Sequence, residues 1–577
     1  MNKFLLSVIL LAAFLRFYKL DSFPVSPSWD EVAIGYNAYS IAQTARDEYG
    51  KKFPLLFQSF NDYKLPGYIY LDALFIKLFG LSQFWVRFPS ALLGTLAVLS
   101  TYFLAKKLFE GTQNGWQLWK GSRQRADSLH GQEKLESKIK SSTGGRETID
   151  RPRSKAIALL SAFLLAISPW HLQFSRAAFE SNAALTIVIL GLTCIFYGFK
   201  NRFLATLSVP ILSLSLYFYY SPRIFVPLIL VALFVIYKKE IAKNYKYFML
   251  GVIVSLIIVV PIAVKIVSPQ GLKRVQEVSI FKDTSIIEPY VLARSQTENP
   301  LSGIFLNRRI PLAFEAFHSY FSHFSPGFLF FGDDPNPRHK SVFHGNLYLV
   351  ELPLLLIGLA ILIGQKARKS KLLILSWLLI APLPASLAKE FPHSLRALLM
   401  LPALIFITSP ALARILKSQI MKVVFALIFA LSLINYLYTY YVVYPKARSE
   451  SWAYGYQQAL SKASKLESAY DRIIFTGHYW KPYIFYLFES KIDPASYHAD
   501  GNQESIGKYR FGTTYWDSGG KDLDLDTIKE LKSGKTLLII TPQELSNLKS
   551  DEKFIDIETV YDYSGRNEIF KIGEWRD

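Results

Sequence analysis

Cysteine is nearly absent: Cys194 is the single one in 577 residues, and it lies inside an apolar run. An intramolecular disulfide and a multi-cysteine metal site are therefore excluded. Charge is scarce too, since Asp, Glu, Lys and Arg make up 19% of the chain, whereas a soluble globular domain carries about a quarter. Hydrophobic residues make up 51% and aromatic residues 15%, which excludes an ordinary soluble enzyme. Instead there are long apolar runs, about ten of which approach or exceed the roughly 18–20 residues that a helix needs to cross about 30 Å of hydrocarbon. The chain reads as a mainly α, polytopic membrane protein.

The formal charge of +20 does not point to nucleic acid. Residues 446–577 carry 18 Lys+Arg against 21 Asp+Glu, a net of −3, which leaves +23 on the apolar part. That excess lies between the apolar runs, as the positive-inside rule expects, rather than in one groove that follows phosphates. The first run, Phe4 to Leu15, has no small-residue cleavage site before Arg16 and Tyr18. It reads as an uncleaved first span.

Five basic clusters should face the cytoplasm: Lys106 through Lys155, Lys200/Arg202, Lys238 to Lys246, Lys366 to Lys371 and Arg414 to Lys422. Fixing them predicts eleven spans, near 4–20, 86–109, 155–170, 182–199, 203–219, 223–238, 246–267, 346–364, 372–388, 396–414 and 421–443. Making Pro66 to Leu81 a twelfth span would put every later cluster outside, so it is expected to lie on the membrane surface. Residues 1–445 then form a transmembrane module with external stretches at 21–85, 171–181 and 268–345, while 110–154 reads as a cytosolic linker. Residues 446–577 alternate strand-like runs (Arg472 to Thr476, Thr536 to Ile540, Asn567 to Ile572) with helical ones (Tyr454 to Leu466, Asp526 to Ser533, Pro542 to Ser550). They predict an extracytoplasmic α/β domain.

Chemistry is expected at the outer membrane surface. Asp30 and Glu31 are adjacent acids just beyond the first span. Such a pair can activate a hydroxyl or hold a divalent cation, or simply decorate a helix N-terminus. If a helix continues from residue 30, the two side chains diverge by about 100° and only one can face a given substrate. Downstream come Asn61-Asp-Tyr-Lys-Leu-Pro-Gly, with Lys64 opening the surface helix, and Arg87-Phe-Pro-Ser-Ala-Leu-Leu-Gly at the mouth of the second span. The next external hairpin, Ser168-Pro-Trp-His-Leu-Gln-Phe-Ser-Arg-Ala-Ala-Phe-Glu, puts His171, Arg176 and Glu180 at the same level.

Together these motifs resemble the polyprenyl-phosphate-sugar-dependent glycosyltransferases of the GT-C superfamily, of the family 39 type. The pattern is most similar to bacterial protein O-mannosyltransferase-like enzymes and to the aminoarabinose transferases that modify lipid A. The resemblance covers about residues 1–445, with its sharp motifs before residue 182. It implies transfer of a sugar from a polyprenyl-phosphate donor, with inversion, to an acceptor hydroxyl on protein, lipid or glycan, at the outer face of the cell (inner) membrane. It implies Asp30 as general base, Glu31 as its assistant or a metal ligand, and Lys64 and Arg176 at the donor phosphate. Glu180 matches the second-loop acid within about one residue of register. The resemblance fixes no cofactor, and a divalent metal on Glu31 or Glu180 stays open. Two positions depart from the aminoarabinose pattern: Tyr63 replaces an acid, and Leu65 replaces the first of two prolines.

The loop 268–345 carries a second constellation, His323-Phe-Ser-Pro-Gly-Phe-Leu-Phe-Phe-Gly-Asp-Asp-Pro-Asn-Pro-Arg-His, followed by His344. Asp333, Asp334, Arg338, His339 and His344 are its candidates for phosphate, sugar or metal, with an ordered covering turn as the alternative. His393 and Arg396 open a later span, where an arginine is costly without a partner; a lipid phosphate would be one. A transporter or flippase for lipid-linked sugars would also need many spans and a cationic headgroup site. The chain lacks the internal repeat that such carriers often show.

Overall fold

The computed structural model describes residues 3–60, 62–110, 151–269, 271–272, 278–297, 299, 302–364, 368–479, 481–500, 502–512, 534–547 and 554–575. The linker expected at 110–154 lies, except for its ends, outside the described residues, as does the helix expected at Asp526 to Ser533.

Among the described residues, five helices are long and apolar enough to cross a membrane: Gln83–Leu108 (α4 below), Glu180–Gly198, Tyr245–Ile266, Leu398–Ile415 and Gln419–Arg448. A bent pair, Ser154–Ile167 and Pro169–Ser175 at 57°, makes a sixth. Its bend falls at Ser168, where the proline that follows disfavours helical backbone and the serine side chain caps the second piece. The other five expected spans are helical as well. Four are short: Lys3–Phe17, Arg202–Leu214, Glu351–Gly364 and Arg368–Ile380 have 15, 13, 14 and 13 residues. The fifth, Pro222–Lys243, is broken at Tyr237. Helix length and composition thus account for six crossings rather than eleven.

Lys3–Phe17 is α1, Trp29–Thr44 is α2, Phe57–Ser59 and Asp62–Lys64 are the strands β1 and β2, and Pro66–Phe79 is α3. α4 packs against α1, Ser154–Ile167 and Glu180–Gly198 through small and branched residues such as Ala97, Ala158, Ala162 and Val188. α3 is 14 residues long, about 21 Å, too short to cross. It buries Tyr68, Ile69 and Ala73 and leaves Leu74, Leu78 and Phe79 exposed, the amphipathic form expected of a surface helix.

After the last span the tail builds a six-stranded mixed sheet from β3 (Arg472–Phe475), β4 (Ser505–Ile506), β5 (Tyr509–Phe511), β6 (Thr536–Ile540), β7 (Phe554–Tyr561) and β8 (Glu568–Trp575), in the order β4-β5-β3-β6-β8-β7. β3 runs parallel to β5 and β6, and β8 is antiparallel to β6 and β7. Most of the tail's aromatics fill its core: Tyr456 stacks on Phe485 at 4.2 Å, and Trp452 and Tyr483 are buried. The helix Pro482–Glu489 lies on α2 so closely that a Cβ on Gly35 would come within 2.6 Å of the Phe488 ring. Glycine at 35 permits this docking.

Candidate active site

α2 begins where it does because Ser28 caps it: the Glu31 N–H donates to Ser28 Oγ and the Ser28 N–H donates to Glu31 Oε2 at 3.0 Å, a reciprocal capping box. Asp30 is thereby fixed in the first turn. The β1–β2 hairpin pairs Phe57 with Lys64 and ends at Pro66, the first residue of α3, so Lys64 projects next to that turn. Lys64 Nζ donates to Asp30 Oδ1 at 2.5 Å, and Arg338 Nη1, from the long loop 268–345, donates to Oδ2 at 3.2 Å. The Arg338 guanidinium also stacks 4.4 Å from the centre of the Trp29 ring.

Burial alone would raise the Asp30 pKa, but Lys64 and Arg338 hold it well below the usual carboxylate range. Burial likewise works against the Lys64 ammonium, and Asp30, with Glu180 and Asp62, outweighs it and raises Lys64. Asp30 is ionised, and 37% of its side chain remains exposed toward a cavity of about 500 Å³. Lys64, Arg223, Arg338 and Arg396 line that cavity together with the apolar Leu65, Phe218, Ile224, Ile266 and Leu395. The shape suits an anionic head on an apolar chain.

Of the expected residues, Asp30, Lys64, Glu180, Arg338, His339 and Arg396 all line the cavity. Four others lie elsewhere or are already engaged. Glu31 touches the cavity wall, but both of its oxygens are taken: Arg87 Nε and Nη2 donate to Oε1 at 2.8 Å and Oε2 at 3.2 Å, and the Ala178 N–H donates to Oε1. It ties α2 to α4 and has no lone pair aimed at a metal or an acceptor. Arg176 is buried under Tyr440 and Tyr441 and donates to the carbonyls of Leu15 and Tyr18 at 2.7 Å each, satisfying the open end of α1 rather than a phosphate. His171 is buried with its Nδ1 2.6 Å from Arg16 Nη2. Asp333 is exposed, and its neighbour Asp334 is the buried acid, reached by the Ser394 N–H at 2.6 Å and by His339 Nδ1 at 3.2 Å.

His393 joins that buried group, its ring centre 4.6 Å from that of His339. Burial would raise Asp334, yet His339 and His393 keep it low, while burial lowers both histidines. Among the cations that line the cavity, the sequence reading lacks Arg223, whose Nε and Nη2 are buried without a hydrogen-bond partner and whose guanidinium lies 4.5 Å from the Tyr220 ring centre. Its signal was present, since Tyr220-Ser-Pro-Arg opens an expected span on the outer side just as Arg396 does.

No protein-family model and no curated protein matches the sequence. Solved structures do resemble it in three dimensions. ArnT from Cupriavidus metallidurans, bound to undecaprenyl phosphate, matches with a TM-score of 0.54 at 11% identity, over 98% of this chain and 97% of that one. Its apo form gives 0.52 at 12% identity over the same shares. An oligosaccharyltransferase from Archaeoglobus fulgidus, in complex with zinc and sulfate, gives 0.46 at 13% identity over 85% of this chain, which spans 61% of the length of that larger protein. The likeness to ArnT shows a shared fold over nearly the whole of both chains.

Proposed function

We propose that this chain is a membrane glycosyltransferase that moves a sugar from a polyprenyl-phosphate donor to an acceptor hydroxyl on a protein, lipid or glycan. The observation that carries the reading is Asp30 between Lys64 and Arg338 in a cavity lined by both cationic and apolar residues. The structure most similar in TM-score among those above is of a protein bound to undecaprenyl phosphate, a ligand of the same amphipathic form.

Lys64, Arg223, Arg338 and Arg396 receive the donor phosphate, and the lipid runs along the apolar residues. The phosphate competes with Asp30 for Lys64 and Arg338; as they turn to it, Asp30 loses its counter-charges and regains basicity. The base is therefore poised only when donor is present. Asp30 then takes the proton of the acceptor hydroxyl while the oxygen attacks the anomeric carbon from the face opposite the phosphate. The bond from that carbon to the phosphate oxygen breaks, and the cations stabilise the charge gathering on the polyprenyl phosphate. Glu31 and Arg87 hold α2 in place beneath this chemistry.

The wider topology belongs to the same proposal: eleven spans in the cell (inner) membrane, with Asp30 and residues 446–577 on the extracytoplasmic side of a module covering 1–445. Mass spectrometry of cell-envelope glycans, lipids and glycoproteins with and without the gene tests the reading. A lost hexose or pentose modification is expected; an unchanged envelope in cells that express the protein would sink it.

A further inference from the structure

Asp334 and His339 come from the long external loop, and His393 comes from the separate segment that precedes Leu401–Ile415. The fold brings them together: each offers one ligand atom, and those atoms all lie within 4.8 Å of one another. All three side chains are buried. The Ser394 and Asn336 N–H groups donate to Asp334 at 2.6 and 2.8 Å, orienting its carboxylate while leaving lone pairs free. His393 Nδ1 accepts from the Arg396 N–H at 3.3 Å, so its Nε2 is the nitrogen left to ligate. His323 is committed at both nitrogens, Nδ1 to the Ser319 carbonyl at 2.7 Å and Nε2 to the His393 N–H at 3.2 Å. It supports His393 from behind, as residues around a metal ligand do.

We propose that Asp334, His339 and His393 form a binding site for a divalent first-row transition metal, with zinc the ion that the donor set favours. Two imidazoles and one carboxylate suit zinc and its neighbours, whereas magnesium and calcium prefer oxygen alone. Bonds of about 2.0–2.2 Å in a tetrahedron separate ligand atoms by about 3.4 Å, so the three groups close in by roughly 1 Å on binding. The metal replaces the proton between His339 Nδ1 and Asp334. These residues are distinct from the Glu31 and Glu180 pair considered from the sequence, and Glu31 is occupied by Arg87.

The location gives the ion two effects. Arg338 is next to His339, and Arg396 follows His393 by three residues; both arginines line the cavity. A metal here cross-ties the two segments and fixes both guanidiniums. It also adds positive charge behind the cavity wall, which favours an anionic ligand.

Metal content of the full-length protein in detergent, measured by inductively coupled plasma mass spectrometry, tests the site without any transferase assay, so its failure is separable from failure of the proposed activity. About one zinc-class ion per chain is expected, and the chelated protein should bind one Co²⁺ with the strong visible absorption of a tetrahedral site. His339→Gln and His393→Gln should lose that absorption. His344→Gln, in the same loop but outside the cluster, should keep it. If either glutamine variant aggregates on gel filtration, Asp334→Asn replaces it, and the wild-type Co²⁺ titration stands by itself. Wild-type protein that takes up neither Zn²⁺ nor Co²⁺, or folded cluster variants with unchanged stoichiometry, would overturn the proposal.

Discussion

Arg338 Nη1 meets Asp30 Oδ2 at 3.2 Å across 308 positions of sequence. One contact joins the long loop 268–345 to the start of α2, and it places a guanidinium where it can serve either the carboxylate or an incoming phosphate. Which of the two it serves sets the basicity of Asp30.

Asp30→Asn keeps the shape and removes the base. Turnover should fall by about 10²–10⁴-fold, the usual contribution of a positioned base, with donor affinity retained or improved because Lys64 is released. Transfer assays with a radiolabelled lipid-phosphate sugar read the first, and equilibrium binding of the lipid phosphate reads the second. Near-wild-type turnover would remove Asp30 from the mechanism.

Lys64→Ala and Arg223→Ala each delete one charge-assisted contact to a phosphate, worth about 1.5–3 kcal/mol, or roughly 10- to 150-fold in Kd. Arg176→Ala should instead lower thermal stability, because it strips donors from the end of α1. Should Arg176→Ala weaken donor binding while leaving the melting temperature alone, the assignment of the cavity cations is wrong.

Glu31→Ala leaves Arg87 buried without its carboxylate, a loss on the order of 3–5 kcal/mol. The expected result is a protein that unfolds early or fails to insert, and Glu31→Gln should be milder. Full stability with selective loss of metal would restore Glu31 as a ligand.

Glu48 is buried where Tyr483 of the tail donates to Oε1 at 2.9 Å and Asn37 donates to Oε2 at 2.8 Å, and burial pushes its carboxyl up to about 7. Asp47, Tyr36 and Tyr497 are its titratable neighbours, and none of them supplies a cation. Because the folded value exceeds the unfolded one, this group's stabilisation is complete below about pH 4.5 and is lost as pH rises to about 7, on the order of 3 kcal/mol. Thermal unfolding from pH 5 to pH 8 should therefore show a steeper decline in wild type than in Glu48→Gln. Parallel curves would refute it.

Asp30 and Lys64 were legible in the sequence because each is a charge close to an apolar segment, where the rule against unpaired charge fixes interest, and Arg338 because it stands in the turn-rich constellation of 268–345. The same rule misassigned Arg176 and His171, since it cannot tell a phosphate from the carbonyls of α1 or the side chain of Arg16 as the partner. Asp334 was legible beside Asp333 as part of the same turn, but not as the buried one of the two, because alternation in a turn carries no period from which to read burial. The tail's β7 was missed as well, although its sequence, Phe-Ile-Asp-Ile-Glu-Thr-Val-Tyr, begins with an alternating pattern.

α2 is 16 residues long, a rod of about 24 Å, with Asp30 in its first turn. The tail grips that rod along its side, through Phe488 against Gly35 and the Tyr36 hydroxyl on the Ile492 carbonyl, and beyond its far end through Tyr483 on Glu48. Yet among the described residues nothing after Arg396 lines the cavity. The tail thus aims a carboxylate that it never touches. Any tilt of the rod imposed through the tail would move the Asp30 carboxylate at its tip relative to the rest of the cavity lining.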